Sequence, residues 1–256
     1  MAASTETLCI GTLVLDNDYR HPVVLAKEVA TLDLLSEGRM IFGLGAGWMR
    51  TDYEQSGIAY DEPAVRVERF EEAVEVYTQL FRTGTATFAG AHYSVSGAVG
   101  EPRPTAGGPK LLIGGGGKRV LSHAARHADI VGVNPNLKSG ATDEATARSA
   151  VADMVDKRIG WIRDAAGDRF DDLDLQMLTF VVAIGGDRDE MAKLMAPSLG
   201  LTEAQAREAP LALVGDVDAI CDQLVERRER WGINEWVVHD PEFEAFAEVV
   251  ARLAGT

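Results

Sequence analysis

Cysteine is scarce in this chain, and so are basic residues and long apolar stretches. The two cysteines of the 256 residues, Cys9 and Cys221, lie far apart in the sequence. Their number and spacing exclude a disulfide framework and are typical of a protein in a reducing cytosol. Each lies in an apolar or helical pattern, so we expect core thiols rather than nucleophiles.

The shortage of basic residues limits the partners of the chain. Its 25 Lys and Arg face 40 Asp and Glu, which gives a net charge of −15. Such a chain repels polyanions, so nucleic acid is excluded as the main partner. No apolar run approaches the length of a membrane span, and no basic segment with an apolar core opens the chain. We therefore expect neither a membrane partner nor a signal peptide.

Apolar segments of strand length alternate with segments of helical periodicity. Six strands are predicted, at residues 9–15, 40–44, 109–113, 129–133, 175–184 and 236–239. Helices are predicted at residues 23–35, 63–81, 119–127, 145–168, 187–197, 202–208, 217–230 and 242–253. This alternation predicts an α/β fold with parallel strands and right-handed crossovers. The pattern fits a doubly wound sheet or a (β/α) barrel, and six units are too few for a closed barrel of eight.

Residues 84–109 interrupt the alternation with a stretch rich in Gly, Pro, Thr and Ser. Within it, residues 86–88 and 93–95 have the composition of a small hairpin. We interpret this stretch as an insertion rather than a domain boundary, so residues 1–256 are expected to form a single domain.

The strongest motif for chemistry is a glycine run between a strand and a helix, Ile113-Gly114-Gly115-Gly116-Gly117-Lys118-Arg119. Glycine lets the backbone approach an anion and adopt a positive φ, and a helix N-terminus offers free N–H groups. The run predicts a phosphate-binding turn. A tight glycine-rich turn without a ligand would have the same residue pattern. It is not a Walker A motif, because no Ser or Thr follows the lysine.

Polar residues at two other strand ends are candidates for the active face. Asp16 and Asp18 follow the first strand, and His21 precedes a helix, where a structural hydrogen bond would equally explain it. The second strand runs into Gly43-Leu44-Gly45-Ala46-Gly47. This is a weak match to a dinucleotide fingerprint, because the bulky Trp48 follows where a small residue is needed.

A metal site is not predicted. His123 and His127 share a helix face at a spacing of four residues. However, no glutamate follows as in a zinc-binding H-E-x-x-H helix, and further ligands are missing.

Several of these segments together resemble the luciferase-like monooxygenase superfamily, and in particular its branch of oxidoreductases that use coenzyme F420. The resemblance extends over nearly the whole chain, and the L-D-x-L-S-x-G-R segment followed by F-G-x-G-x-G is its most specific part. It is carried by residues 10–15, 20–22, 32–39, 42–48, 114–117 and 213–216.

The resemblance implies a TIM-type (β/α) barrel, usually dimeric, with coenzyme F420 or FMN at the mouth formed by the carboxyl ends of the strands. The family's non-prolyl cis peptide would fall at Leu13–Val14. Candidate cofactor-binding residues are then Thr12, Leu13, Val14, Gly45, Ala46 and Gly47 for the ring, and Gly115, Gly116, Gly117 and Lys118 for the phosphate. Candidate catalytic residues are Asp16, His21 and Trp48, the last at a position where some relatives carry an acidic residue.

The sequence also departs from the family pattern. The strand at residues 9–15 resembles the third strand of the family's barrel, so the first two strand–helix units have no counterpart here. We therefore expect a barrel incomplete at the N-terminus, with about six units. Its open edge would be covered by a homodimer or another oligomer.

These features predict a flavin- or F420-dependent oxidoreductase or monooxygenase that acts on a small organic substrate. Two alternatives stay open. One is a cofactor-independent cyclase, isomerase or lyase, with Asp16, Asp18, His21 and His239 as candidate groups. The other is a non-catalytic subunit that completes a partner.

Overall fold

The computed structural model of the chain describes residues 2–255. These residues divide into two compact units. The first unit runs to Gly114 and takes in Arg126–Ile130, and the second comprises Gly115–Ala125 and the residues from Val131 onward.

The first unit is built on short parallel strands flanked by helices. Strand β3 is paired on one side with β1 and β2 and on the other with β6, all in parallel. The elements in chain order are β1 (Ile10–Gly11), β2 (Leu15–Asp16), α1 (Pro22–Leu35), β3 (Met40–Gly45), α2 (Arg50–Ser56), α3 (Pro63–Thr83), β4 (Thr85–Ala89), β5 (Ser94–Val99) and β6 (Lys110–Gly115).

Helix α1 begins where the sequence predicts it. Pro22 occupies the first turn, where its missing N–H is not needed, and His21 caps the helix. The side chains of Leu25 and Val29 are buried, and α1 packs against α3. Phe42 of β3 stands edge-on to the ring of Tyr77 of α3, with 5.0 Å between ring centroids. These contacts form the apolar core of the unit.

The L-D-x-L-S-x-G-R segment fixes the end of α1. The buried Asp33 carboxylate accepts hydrogen bonds from the Thr105 N–H at 2.8 Å and the Thr105 hydroxyl at 2.5 Å. Gly38 adopts a φ of +81°, which a side chain disfavours. Arg39 donates to the carbonyls of Leu8 at 2.9 Å and Ser36 at 2.7 Å. The segment therefore connects the end of α1 with the chain before β1 and with the loop that contains Thr105.

The predicted hairpin is confirmed, because β4 and β5 pair in antiparallel fashion. It is anchored to α3 by the Glu72 carboxylate, which accepts from the N–H groups of residues 91, 92 and 93 at 2.6, 2.9 and 2.9 Å. Burial alone would raise the pKa of Glu72, but these three donors outweigh it and hold the pKa below its usual range. The single-domain organisation with an insertion at 84–109 stays a prediction.

The second unit repeats the alternation of strands and helices. Strand β8 lies between β7 and β11, and β9 pairs in parallel with β10. Its elements are α4 (Lys118–His127), β7 (Ile130–Val133), α5 (Glu144–Ser149), α6 (Ala152–Ala166), β8 (Asp174–Leu178), β9 (Val181–Ile184), α7 (Arg188–Leu199), α8 (Glu203–Arg207), β10 (Ala212–Gly215), α9 (Val217–Trp231), β11 (Ile233–Val237) and α10 (Phe243–Leu253). Its core includes Leu213, Ile220, Leu224, Phe246 and Val249.

The structure corrects several predicted boundaries. The apolar segment 175–184 is two strands, because Thr179 donates its N–H and hydroxyl to the Val237 carbonyl while the Phe180 N–H turns to Leu211. Strand β10 was not predicted. The first predicted strand is split into β1 and β2, and the helix predicted at 145–168 into α5 and α6.

Exposure also differs from expectation at one cysteine. Cys221 is partly buried against the apolar cluster of the second unit, but Cys9 is exposed rather than in the core. Separately, no helix within residues 2–255 is long and apolar enough to cross a membrane.

Replacing Asp33 by alanine should destabilise the protein. The two partly buried donors of Thr105 would lose their acceptor, which costs about 1–3 kcal/mol. Urea unfolding should show this loss, whereas Asp168→Ala, at an exposed position of the second unit, should stay within about 0.5 kcal/mol of the parent. Equal stability of the two variants would contradict a structural role for the motif.

Candidate functional site

The segment between β1 and β2 lies unusually close to β3. The Thr12 hydroxyl donates to the Gly43 carbonyl at 2.8 Å and accepts from the Gly43 N–H at 3.0 Å. A Cβ on Gly43 would lie 1.8 Å from the Thr12 carbonyl oxygen, and one on Gly45 would lie 2.9 Å from a methyl of Val14. Glycine at these two positions is therefore a condition of the close approach.

The Leu13–Val14 peptide bond in this segment is cis. This confirms the position that the family resemblance predicts. The side chains of Leu13 and Val14 are 50% and 39% exposed, although both are large and apolar. They form an exposed apolar surface after the carboxyl end of β1, beside Gly45 at the carboxyl end of β3.

A polar cluster borders this surface. The Asp16 carboxylate caps the turn at Asn17–Tyr19 by accepting the Asp18 N–H at 2.9 Å. The Tyr53 hydroxyl oxygen lies 3.0 Å from Asp16 Oδ1 and 3.0 Å from Asp18 Oδ2. Arg69 donates to both oxygens of Asp18, at 2.8 and 3.3 Å, and to Asp61 Oδ2 at 2.7 Å. The cluster thus contains one tyrosine, one arginine and three carboxyl groups.

Burial governs the protonation of this cluster. It raises the pKa of Asp16, although the bonds from Asp18 and Tyr53 oppose the shift. Burial and the hydrogen bond with Asp16 raise the pKa of the Tyr53 hydroxyl, which therefore keeps its proton at neutral pH.

The Gly45–Gly47 segment is held from the other side by Arg66. This buried guanidinium donates to the carbonyls of Ala46 and Gly47, both at 3.4 Å, and of Asp61 at 2.7 Å. It also lies 4.1 Å from the centroid of the Tyr60 ring. Arg66 therefore positions the backbone of the segment rather than its side chains.

The three predicted catalytic residues are not brought together. His21 is exposed, and its Nδ1 accepts the Val23 N–H at 3.3 Å. This is the structural hydrogen bond by which His21 caps α1. Trp48 is half-buried, and its carbonyl accepts from the Tyr60 hydroxyl at 2.9 Å. Within residues 2–255, no hydrogen bond or ion pair joins Asp16 to His21 or Trp48. Their catalytic roles stay predictions.

A cavity of about 290 Å³ opens in the first unit. Tyr93 stands in its wall and accepts from the amide of the buried Asn17 at 3.2 Å. Its wall combines charged groups of both signs with apolar side chains. Its lining residues are Asp18, Arg20, His21, Ile58, Ala59, Asp61, Arg69 and Tyr93.

In the second unit, the glycine turn leads from Gly115 into α4 at Lys118. None of Gly115, Gly116 and Gly117 has a positive φ. The prediction that glycine serves here to allow a positive φ was therefore wrong. Close approach is the reason instead, because a Cβ on Gly116 would lie 2.0 Å from the Pro135 carbonyl oxygen. A Cβ on Gly117 would meet nothing within 4 Å, so the turn is open at that residue.

A buried cation lies against this turn. Arg158 is 1% exposed and donates from Nε to the Gly116 carbonyl at 3.0 Å and from Nη1 to the Ser149 carbonyl at 2.6 Å. Its Nη2 has no hydrogen-bond partner among residues 2–255. Burial lowers the pKa of Arg158 to about 10, which leaves the group charged at neutral pH. The turn therefore has a buried positive charge beside it, and the unpaired Nη2 is enclosed by the protein.

Sequence reasoning missed Tyr53, Arg66 and Arg69. The two arginines stand three residues apart on α3, a spacing that places them on one helix face, but nothing in the sequence names their partners. Among residues 2–255 there is no group of three or more His, Cys, Asp and Glu side chains that could hold a metal ion.

Residues 1–235 match the family model described as luciferase-like monooxygenase. The chain belongs to this family. It is similar to the F420-dependent glucose-6-phosphate dehydrogenase of Microbacterium testaceum, with 27% identity over 94% of this chain and 75% of that protein. It is also similar to the FMNH₂-dependent dimethylsulfone monooxygenase of Pseudomonas fluorescens, with 28% identity over 59% of this chain and 42% of that protein.

A solved structure confirms the predicted fold class. The coenzyme F420-dependent tetrahydromethanopterin reductase of Methanopyrus kandleri superposes with a TM-score of 0.75 over 98% of this chain and 84% of that one. At 19% identity, this likeness concerns the fold alone. The fold is an α/β luciferase-like barrel type, as the alternation and the motifs predict.

Replacing Gly47 by alanine should disrupt the polar cluster. The residue has a φ of +70°, and a Cβ there would lie 1.8 Å from the Tyr53 hydroxyl oxygen and 2.5 Å from Asp16 Oδ2. Backbone strain costs about 1–2 kcal/mol and the steric overlap about 1–3 kcal/mol more. Unfolding in urea measures the sum.

Gly57→Ala is the matched control for this variant. Gly57 has nearly the same φ, +72°, but nothing lies within 4 Å of the place of its Cβ. It should show the strain cost alone, about 1–2 kcal/mol. If both variants lost the same stability, the close approach at Gly47 would not exist.

Proposed function

We propose that the chain is an oxidoreductase of this family that uses coenzyme F420 or FMN to transform a small organic substrate. The observation that carries the proposal is the exposed apolar surface of Leu13 and Val14, which lies against the carboxyl end of β3. Relatives of both cofactor types support it, since one is named for F420 and another for FMNH₂.

The residues of the first unit fit a planar heteroaromatic ring. A large apolar group that is half exposed in a folded chain is typical of a ligand or partner surface. Glycine at position 45 lets Val14 approach β3 closely, and Arg66 fixes the neighbouring carbonyls of Ala46 and Gly47. Thr12, Leu13, Val14, Gly45, Ala46 and Gly47 are therefore the residues that would contact the ring.

Considered on their own, the residues of the second unit fit a phosphate group. The N-terminus of α4 carries the positive end of the helix dipole and Lys118. The unpartnered Arg158 Nη2 adds a buried positive charge. Gly115, Gly116, Gly117 and Lys118 are the residues that would hold the phosphate.

When bound, the cofactor supplies hydride or oxygen-activating chemistry, and the chain supplies binding, orientation and exclusion of water. The cavity around Tyr93 and Asp61 is the place where we expect the substrate. Its volume of about 290 Å³ suits a small molecule rather than a polymer.

Titration with F420 and with FMN, followed by fluorescence, tests the proposal. We expect binding of one of them with a Kd on the order of tens of micromolar or tighter. Lys118→Ala should weaken binding about tenfold or more, because a hydrogen bond to a charged group contributes about 1.5–3 kcal/mol. Absence of binding of both cofactors would refute the proposal.

Two controls separate the phosphate contact from other effects. Lys157→Ala removes the same charge from an exposed site on α6 and should leave binding unchanged. Riboflavin has the FMN ring without the phosphate, so its affinity should not respond to Lys118→Ala. A loss of riboflavin affinity in that variant would show that the lysine contacts the ring or supports the fold instead.

We further propose that the chain forms a homodimer or a larger homo-oligomer. Helix α1 is apolar on its outer side as well as its inner side: Val24, Leu32, Leu34 and Leu35 are exposed, Leu35 by 70%. A helix that is apolar all round is typically buried. Strand β1, in addition, pairs with β3 on one side only among the described strands.

Light scattering at micromolar concentration should report more than one chain per particle. Leu35→Glu should shift the particles towards monomer, because it places a charge in an apolar contact. Leu194→Glu, at a 75% exposed position of α7, should have no such effect. A monomeric parent chain would overturn this proposal.

A further inference from the structure

The carboxylates in the wall of the cavity of about 290 Å³ are almost fully used by the protein itself. Both oxygens of Asp18 accept from Arg69, at 2.8 and 3.3 Å. Asp61 Oδ2 accepts from Arg69 at 2.7 Å. Of these four oxygens, only Asp61 Oδ1 has no donor within residues 2–255. The acids of the wall therefore offer little to a ligand that donates hydrogen bonds.

The hydroxyl of Tyr93, in contrast, has an unused proton. Its oxygen accepts from Nδ2 of the fully buried Asn17 at 3.2 Å, and an amide nitrogen can only donate. The Tyr93 proton makes no hydrogen bond within residues 2–255. Burial raises the pKa of the hydroxyl, so the proton stays on the oxygen at neutral pH. Tyr93 is thus a donor that a ligand in the cavity can use.

The ring of His21 supplies a second donor in the same wall. Its Nδ1 accepts from the Val23 N–H at 3.3 Å, and a backbone N–H can only donate. The proton of the neutral ring is therefore on Nε2, which makes no hydrogen bond in the described part of the chain. The His21 and Tyr93 rings stand edge to face, with 5.5 Å between their centroids. Two neighbouring donors suit an oxygen with two lone pairs, such as a carbonyl oxygen.

The charges around the cavity disfavour an ionic ligand. Arg69 pairs with Asp18 and Asp61, and Nε of Arg20 lies 3.3 Å from Oε2 of Glu28. These five groups carry two positive and three negative charges, so an anion would meet net repulsion. A cation would need acceptors, and the two aspartates keep only one free oxygen. A neutral ligand fits both conditions.

The cavity also has an apolar part, formed by Ile58 and Ala59. We propose that Tyr93 and His21 are a specificity-determining pair, which selects a neutral molecule with a carbonyl oxygen for their two donors and a short hydrocarbon part for Ile58 and Ala59. The statement that this molecule is the substrate rests on the proposed function. The donor pair rests on the geometry of the cavity.

Titration with three probes of one ring size, followed by amide NMR of the chain without cofactor, tests the chemistry of the ligand. Cyclohexanone carries a neutral carbonyl oxygen, cyclohexanecarboxylate an anionic acceptor and cyclohexylamine a cationic donor. Cyclohexanone should bind most tightly and should shift the amide signals of Ala59 and Tyr93. Tighter binding of either other probe would overturn the proposal. So would the absence of cyclohexanone binding at a concentration on the order of 100 mM.

Tyr93→Phe tests the first donor. It should weaken cyclohexanone binding about three- to tenfold, which is the effect of one lost hydrogen bond. A general defect in the fold would weaken all three probes alike. Tyr19→Phe is the matched control, because it removes the hydroxyl of a residue that does not line the cavity. Unchanged affinity in Tyr93→Phe would show that its proton is held within the protein and would overturn the proposal.

His21→Ser tests the second donor. Serine keeps an oxygen that can cap α1 and removes the ring Nε2. Cyclohexanone binding should weaken by a similar factor, about three- to tenfold. Unchanged affinity would exclude His21 from the site and overturn the proposed pair.

Titration of the same samples with FMN and F420 separates this inference from the proposed function. Binding of cyclohexanone without binding of either cofactor would refute the proposed function and leave the carbonyl site intact. Binding of a cofactor without binding of cyclohexanone would refute the carbonyl site and leave the proposed function intact.

Discussion

The close approach of residues 12–16 to strand β3 is the constraint on which the candidate site depends. Positions 43 and 45 alternate along β3, so they face the same side of the strand, and Gly47 follows the end of the strand. The space of their side chains is taken by the Thr12 carbonyl, the Val14 methyl, and the Tyr53 and Asp16 oxygens in turn. Because these three glycines have no side chains, the cis peptide, the apolar surface and the acid cluster can all lie at one end of the strand.

Helix α3 holds that arrangement in place from outside. Arg66 binds backbone carbonyls of residues 46 and 47, and Arg69 binds the carboxylate of Asp18. Both also bind Asp61, one at its carbonyl and the other at its carboxylate. The two guanidiniums thus fix a flexible glycine segment and an acidic turn from a single rigid helix, so the site does not depend on a loop to position its charges.

Local sequence patterns predicted the fold class and the ends of some strands. They did not predict contacts between residues that are far apart in the chain. Alternation of apolar and helical segments predicted the fold class, and the glycines of β3 indicated a ligand-facing strand end. Residues 175–184 read as one strand, because an apolar run cannot show that Thr179 turns to β11 and Phe180 to Leu211. Tyr53 stands 35 residues from Asp18, and Arg69 stands 51 from it. No short-range pattern reveals such pairs, so the cluster could not be predicted.

Two buried arginines of the second unit differ in how many of their hydrogen-bond donors are paired. Arg227 and Arg158 are both buried, and burial lowers the pKa of each to about 10. Arg227 is satisfied by the carbonyls of residues 209, 210 and 212, so its role in the fold is complete. Arg158 makes two such bonds and keeps one buried donor without a partner. A buried charge is expensive unless compensated, and this unpaired donor beside Gly116 is the ground on which we propose an anion at the turn.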